Sequence, residues 1–122
     1  MNVGNTFIDA KYDHLWVVIS DPAIDSERIV IVNFTKHTTE KEEDCIINLR
    51  EHEFVTRKTL IQFRDAKCVR LADLETLLTA RLLTPHKQAT QILLDKIRAS
   101  ASSHSHKLPK ACKSCLEDQG LI

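Results

Sequence analysis

Two unbroken apolar runs, LWVVI at residues 15–19 and IVIV at residues 29–32, constrain this chain more than any other feature. A strand with one wet face alternates apolar and polar residues. A β-branched run without alternation reads as a strand covered on both faces. Asp21-Pro22 follows the first run and supplies a turn, because proline presets φ and aspartate bonds nearby backbone. The connection through residues 23–27 is short, so the two runs are predicted to pair as antiparallel neighbours. A chain of 122 residues holds one core. The second face of these strands must therefore be covered by C-terminal helices or by another subunit.

Further strands are expected around residues 6–8, at CIINL (45–49), and at residues 58–63 and 66–71. Residues 38–44 read as a polar loop, and residues 50–57 as a polar, irregular stretch. Five or six short strands at intervals of about 10–15 residues point to a small β-barrel. The period then changes. Leu74, Leu77, Leu78 and Leu82 fall at helical spacing and predict a helix over residues 72–82. Thr84-Pro85 predicts the start of a second helix, with Thr84 as N-cap and Ala89, Ile92, Leu93 and Ile97 as its apolar stripe. Residues 99–122 are short of core-forming side chains and rich in Ser, Lys and His, which predicts a flexible tail. The expected architecture is mainly β (α+β): a barrel with two C-terminal helices over residues 1–98, then the tail.

Seventeen basic and seventeen acidic residues cancel, which argues against a polybasic nucleic-acid binder. The balance is uneven along the chain. Residues 57–70 carry five cations against one anion, whereas residues 40–44 carry four acids and one lysine. No apolar run approaches the roughly 18–20 residues that span a bilayer, and the N-terminus has no signal-peptide pattern. A cytoplasmic location with four reduced cysteines is expected. The only glycines, Gly4 and Gly120, make no phosphate loop.

Polar side chains cluster where the apolar runs end. Thr35, Lys36 and His37 leave the second run, and His14 opens the first. Threonine can donate or accept a proton, and histidine exchanges protons near neutral pH. Histidines 14 and 52 with Arg57, Lys58, Arg64 and Lys67 would give a phosphodiester both positive charge and a proton donor. The same residues also fit an ordinary polar turn and a solvated strand face. In the tail, His104, His106, Cys112 and Cys115 are types that bind zinc, but their order and spacing depart from zinc-finger patterns. No cofactor is expected.

The segments HLWVVIS (14–20), RIVIVNFTK (28–36), CIINL (45–49) and TLIQFRDAKCVRL (59–71) resemble, in order, the strands of the MazF/PemK (Kid) toxin family of endoribonucleases. The resemblance covers residues 14–83. It implies an SH3-like barrel that cuts single-stranded RNA without metal, giving a cyclic phosphate and a 5′-hydroxyl. It also implies a homodimer, a proteic antitoxin, and contact with DNA only through that antitoxin. Carried over residue by residue, Thr35 takes the place of the family's strand-end threonine. His14 stands where the family has an arginine, a departure that replaces a permanent charge with a titrating one. Arg64 or Asp65 falls near the family's later polar position, while His52 and Lys58 have no family counterpart but lie on the loop leading into that strand. The cradle for RNA would then be Lys36, His37, Arg57, Lys58 and Lys67. The alternative is a non-enzymatic SH3-like barrel that binds protein or RNA.

Overall fold

The computed structural model describes residues 1–122. Eight strands form in chain order: β1 (Thr6–Asp9), β2 (Leu15–Val18), β3 (Ile29–Asn33), β4 (Thr35–Lys36), β5 (Cys45–Ile47), β6 (Thr59–Ile61), β7 (Lys67–Val69) and β8 (Leu83–His86). Three helices accompany them: α1 (Leu71–Thr79), α2 (Gln91–Ser103) and α3 (Lys110–Asp118). The two apolar runs become β2 and β3, antiparallel as predicted, with Trp16, Val17 and Val18 opposite Asn33, Val32 and Ile31.

The chain is mainly β, with strands in two antiparallel sheets. One is five-stranded in the order β7-β3-β2-β1-β8, and the other three-stranded in the order β4-β6-β5. The expected mainly β fold is present as these two sheets, which do not close into one barrel. They join at Phe34, a buried residue between β3 and β4 whose N–H donates to the Leu15 carbonyl at 2.8 Å. One continuous stretch of chain thus serves both sheets.

The lack of alternation in β3 is explained by cover on both sides. Val30 and Val32 face a large core shared with Ile47 and Ile61 and with Leu93, Ile97 and Leu116 from α2 and α3. Ile29 and Ile31 face a second cluster with Phe7, Leu74 and Leu83, closed by α1. Every residue of β3 is buried. Burial of this kind contributes on the order of 25 cal/mol per Å² of apolar surface.

Two expectations are corrected. Thr84 and Pro85 do not start a helix; they lie in β8, which pairs with β1. Pro85 is tolerated because β8 is an edge strand, where a missing N–H costs no ladder bond on the open side. The true N-cap of α2 is Thr90, whose hydroxyl accepts the N–H of Leu93 at 3.1 Å. Helix α2 therefore starts later, and of the expected stripe Ala89, Leu93 and Ile97 are buried as expected. Leu93, Leu94, Ile97 and Ala101 are buried, while Ile92 is 82% exposed.

Residues 99–122 are likewise not a flexible tail. They complete α2, pass through a 3-10 turn at Ser105–Lys107 and form α3. Ala101, Leu108, Cys112, Cys115 and Leu116 are all buried in the main core. Few apolar residues suffice here because Cys112, Cys115 and Leu116 share one face of α3, and cysteine packs as a small hydrophobe. No helix is long and apolar enough to cross a membrane.

Candidate functional site

A cleft of about 470 Å³ opens where the two sheets meet. Three segments build it, beginning with the turn between β1 and β2. Asp9 takes the Tyr12 N–H on one carboxylate oxygen at 2.5 Å and the Trp16 indole N–H on the other at 2.9 Å. Partial burial would raise the pKa of Asp9, but these donors outweigh it and hold the carboxyl below its usual value. Asp13 closes the turn at φ +55°, a left-handed conformation that aspartate accepts more readily than most residues. The turn directs Tyr12, Asp13 and His14 into the cleft. The rings of Tyr12 and His14 stack, 5.8 Å between centroids. His14 Nδ1 accepts the side-chain amide of Asn33 at 3.2 Å. In the neutral ring the proton is then on Nε2, and that nitrogen faces no protein partner.

The second segment is the crossing from β3 to β4, which presents Phe34, Thr35 and Lys36. The loop after β4 folds back over it. Lys41 Nζ donates to Thr35 Oγ1 at 2.9 Å and to the Lys36 carbonyl at 2.9 Å. Because Thr35 Oγ1 accepts from Lys41, its own O–H is free to donate into the cleft.

The third segment, residues 50–57, supplies Phe54, Thr56 and Arg57, and Thr59 follows in β6. His52 anchors this segment from beneath. It is buried, its Nε2–H donates to the Lys87 carbonyl at 2.5 Å, and its Nδ1 accepts the Phe54 N–H at 3.1 Å. Its ring meets Phe34 edge-on and lies 5.4 Å from the ring of His86. Burial pushes the pKa of His52 down. The expected catalytic His52 is therefore a neutral structural pin, with no free nitrogen for substrate.

The cleft thus gathers His14, Thr35, Lys36 and Arg57 from the sequence-based set and adds Asp13 and Lys41, with buried Asn33 bonding His14 from behind the lining. The other expected residues lie outside it. His37 and Lys58 both pair with Glu43, at 2.5 and 3.4 Å. Arg64 pairs with Glu42 at 2.9 Å. Lys67 lies over the Trp16 ring, 5.3 Å from its centroid, in a separate apolar groove of about 390 Å³ between the five-stranded sheet and α1.

The tail residues do not converge on a metal site. His104 Nδ1 bonds the Ser100 carbonyl and its ring stacks on Phe63. Cys112 and Cys115 are buried, and burial pushes the Cys112 thiol up to about 12. No group of three or more metal-ligating side chains comes together anywhere in the chain.

Lys41 and Asn33 escaped the sequence reading for different reasons. Lys41 is the one base in an acidic run, and only the fold shows it turned back toward Thr35. Asn33 is the polar residue that ends IVIV, which marked it as a strand end rather than as a partner for His14. Comparison with protein-family models, curated proteins and solved structures finds no match for this chain.

Proposed function

We propose that the cleft binds a phosphodiester of single-stranded RNA and cleaves it without metal, in the manner of the MazF/PemK toxins that the strand order resembles. The observation that carries this reading is the convergence of an imidazole, a free hydroxyl proton and three cations in one cleft. Lys36, Lys41 and Arg57 offset the negative charge of the phosphate. Thr35 donates its O–H to a non-bridging oxygen, where charge grows as the phosphorus becomes five-coordinate. The RNA's own 2′-hydroxyl attacks. It loses its proton to a base, and the departing 5′-oxygen gains one from an acid. His14 Nε2 and the Asp13 carboxylate are the groups lining the cleft that are placed to take or give those protons. The products are a 2′,3′-cyclic phosphate and a free 5′-hydroxyl. Only an unpaired strand can present its backbone in this geometry with the bases turned aside.

The same resemblance motivates a homodimer and a proteic antitoxin as partners. A second reading, a binding module without turnover, is favoured by one feature. Lys41 occupies the Thr35 hydroxyl with a donor, and no acceptor is placed to activate it. Thr35→Ala separates the two readings. Cleavage predicts a rate loss of about 10²-fold or more, the usual effect of removing one such donor, with an unchanged circular-dichroism spectrum. Equal rates for the two proteins would remove Thr35 from the mechanism.

A further inference from the structure

The acidic run at residues 40–44 and the basic run at residues 57–70, opposite in charge along the sequence, meet in the fold. Glu43 holds His37 and Lys58. Glu42 holds Arg64 at 2.9 Å and Lys107 at 2.6 Å. Asp44 behaves differently from both. It is buried, accepts the Phe63 N–H at 3.1 Å and also binds Lys107, so it anchors the loop to the body. Glu42 and Glu43 are half-exposed, as are Lys58 and Arg64. Ion pairs of that kind contribute little to stability and exchange readily with other anions.

Their position gives them a use. Lys36 and Thr59 pair across β4 and β6 and line the cleft. Only one residue further along the same two strands, the His37 N–H donates to the Lys58 carbonyl at 3.2 Å. His37 and Lys58, held by Glu43, therefore sit just outside the cleft lining, next in sequence to Lys36 and Thr59. A strand leaving the cleft past this edge would bring its neighbouring phosphates to the cations held by Glu43 and by the adjacent Glu42.

We propose that Glu42 and Glu43 stand, within the chain, where backbone phosphates of single-stranded RNA bind, so that the loop is an internal competitor for the outer half of the RNA track. The proposal rests on the RNA reading of the cleft. It makes Lys58 and Arg64 binding residues that are masked in the free protein. RNA must exchange phosphates for carboxylates there, which weakens binding and flattens its salt dependence.

The test is the affinity of a fluorescein-labelled 2′-O-methyl oligouridylate, measured by anisotropy over a salt series. That probe has phosphates but no attacking hydroxyl. The variant is Glu42→Gln with Glu43→Gln. The control is Glu40→Gln with Glu75→Gln, which removes the same charge from exposed residues that hold no cation. The expected result is tighter binding by the first variant, with a log–log salt slope steeper by about 0.7 for each cation released, or about 1.4 for Lys58 and Arg64 together. The control should keep the wild-type slope. Equal changes in both variants would reduce the effect to net charge and overturn the proposal. Wild-type binding with no change in the first variant would overturn it while leaving the cleft reading intact. Binding by none of the three proteins would overturn both.

Discussion

His52→Ala tests whether a buried imidazole holds one wall of the cleft. The substitution removes the bond to the Lys87 carbonyl and the one from the Phe54 N–H. It also empties the space between Phe34 and His86. Stranding a buried donor or acceptor costs ~1–3 kcal/mol, and the vacated volume adds to that. The combined loss is about 3 kcal/mol. At a slope of ~1.5 kcal/mol per molar urea, the unfolding midpoint falls by about 2 M.

The same residue makes stability depend on pH in a defined direction. Burial lowers the His52 pKa, so the unfolded chain, titrating near 6.5, binds the extra proton across the window between the two values. Stability therefore rises with pH through that window, is complete above about pH 6.5, and is lost as the pH falls below it. Urea midpoints of wild type and His52→Gln across this range isolate the contribution, since the other five histidines are common to both proteins. A His52→Ala midpoint within about 0.3 M of wild type, or an unchanged pH slope in His52→Gln, would refute the argument that His52 pins residues 50–57.

Other expectations follow from the same geometry. Leu116→Ala, in the helix that replaces the expected tail, should cost about 2–5 kcal/mol by urea unfolding, because Leu116 is fully buried; a cost below ~0.5 kcal/mol would return this segment to the status of an appendage. Arg57→Ala should weaken RNA binding uniformly across sequences and flatten the salt slope by about 0.7, as read by anisotropy. In native protein a thiol reagent should modify Cys68, which is partly exposed, well before Cys45, Cys112 and Cys115, which are buried; fast labelling of Cys112 by mass spectrometry would contradict the packing of α3.

How much the sequence revealed depended on the kind of signal. LWVVI and IVIV determined β2, β3 and their pairing, because only a doubly covered strand keeps four β-branched or aromatic residues in unbroken sequence. Leu74, Leu77 and Leu78 placed α1 by their helical spacing, but the helix ends at Thr79 and leaves Leu82 outside it. The segment Leu83–His86 was misread because Thr-Pro is also a good helix opening. Its partner β1 lies far away in sequence, and local pattern does not report such pairing. The C-terminal residues read as a tail because mean composition hid the buried face of α3, made of Cys112, Cys115 and Leu116, and the two anchors before it, Ala101 in α2 and Leu108 in the connection. Strand ends put His14 and Thr35 on the lining of one cleft, since a strand's exit is a local property. The fate of Lys58, Arg64 and His37 depended on Glu42 and Glu43 folding across them, and that of His52 on a carbonyl at residue 87. Neither follows from residue spacing.

The most direct test of the central claim is incubation of the purified protein with a long single-stranded RNA in EDTA, followed by mapping of the product ends. The cleft chemistry predicts discrete cuts with 5′-hydroxyl and cyclic-phosphate ends, absent when Thr35→Ala replaces wild type. Intact RNA in the presence of folded wild-type protein, or products carrying 5′-phosphates, would contradict it.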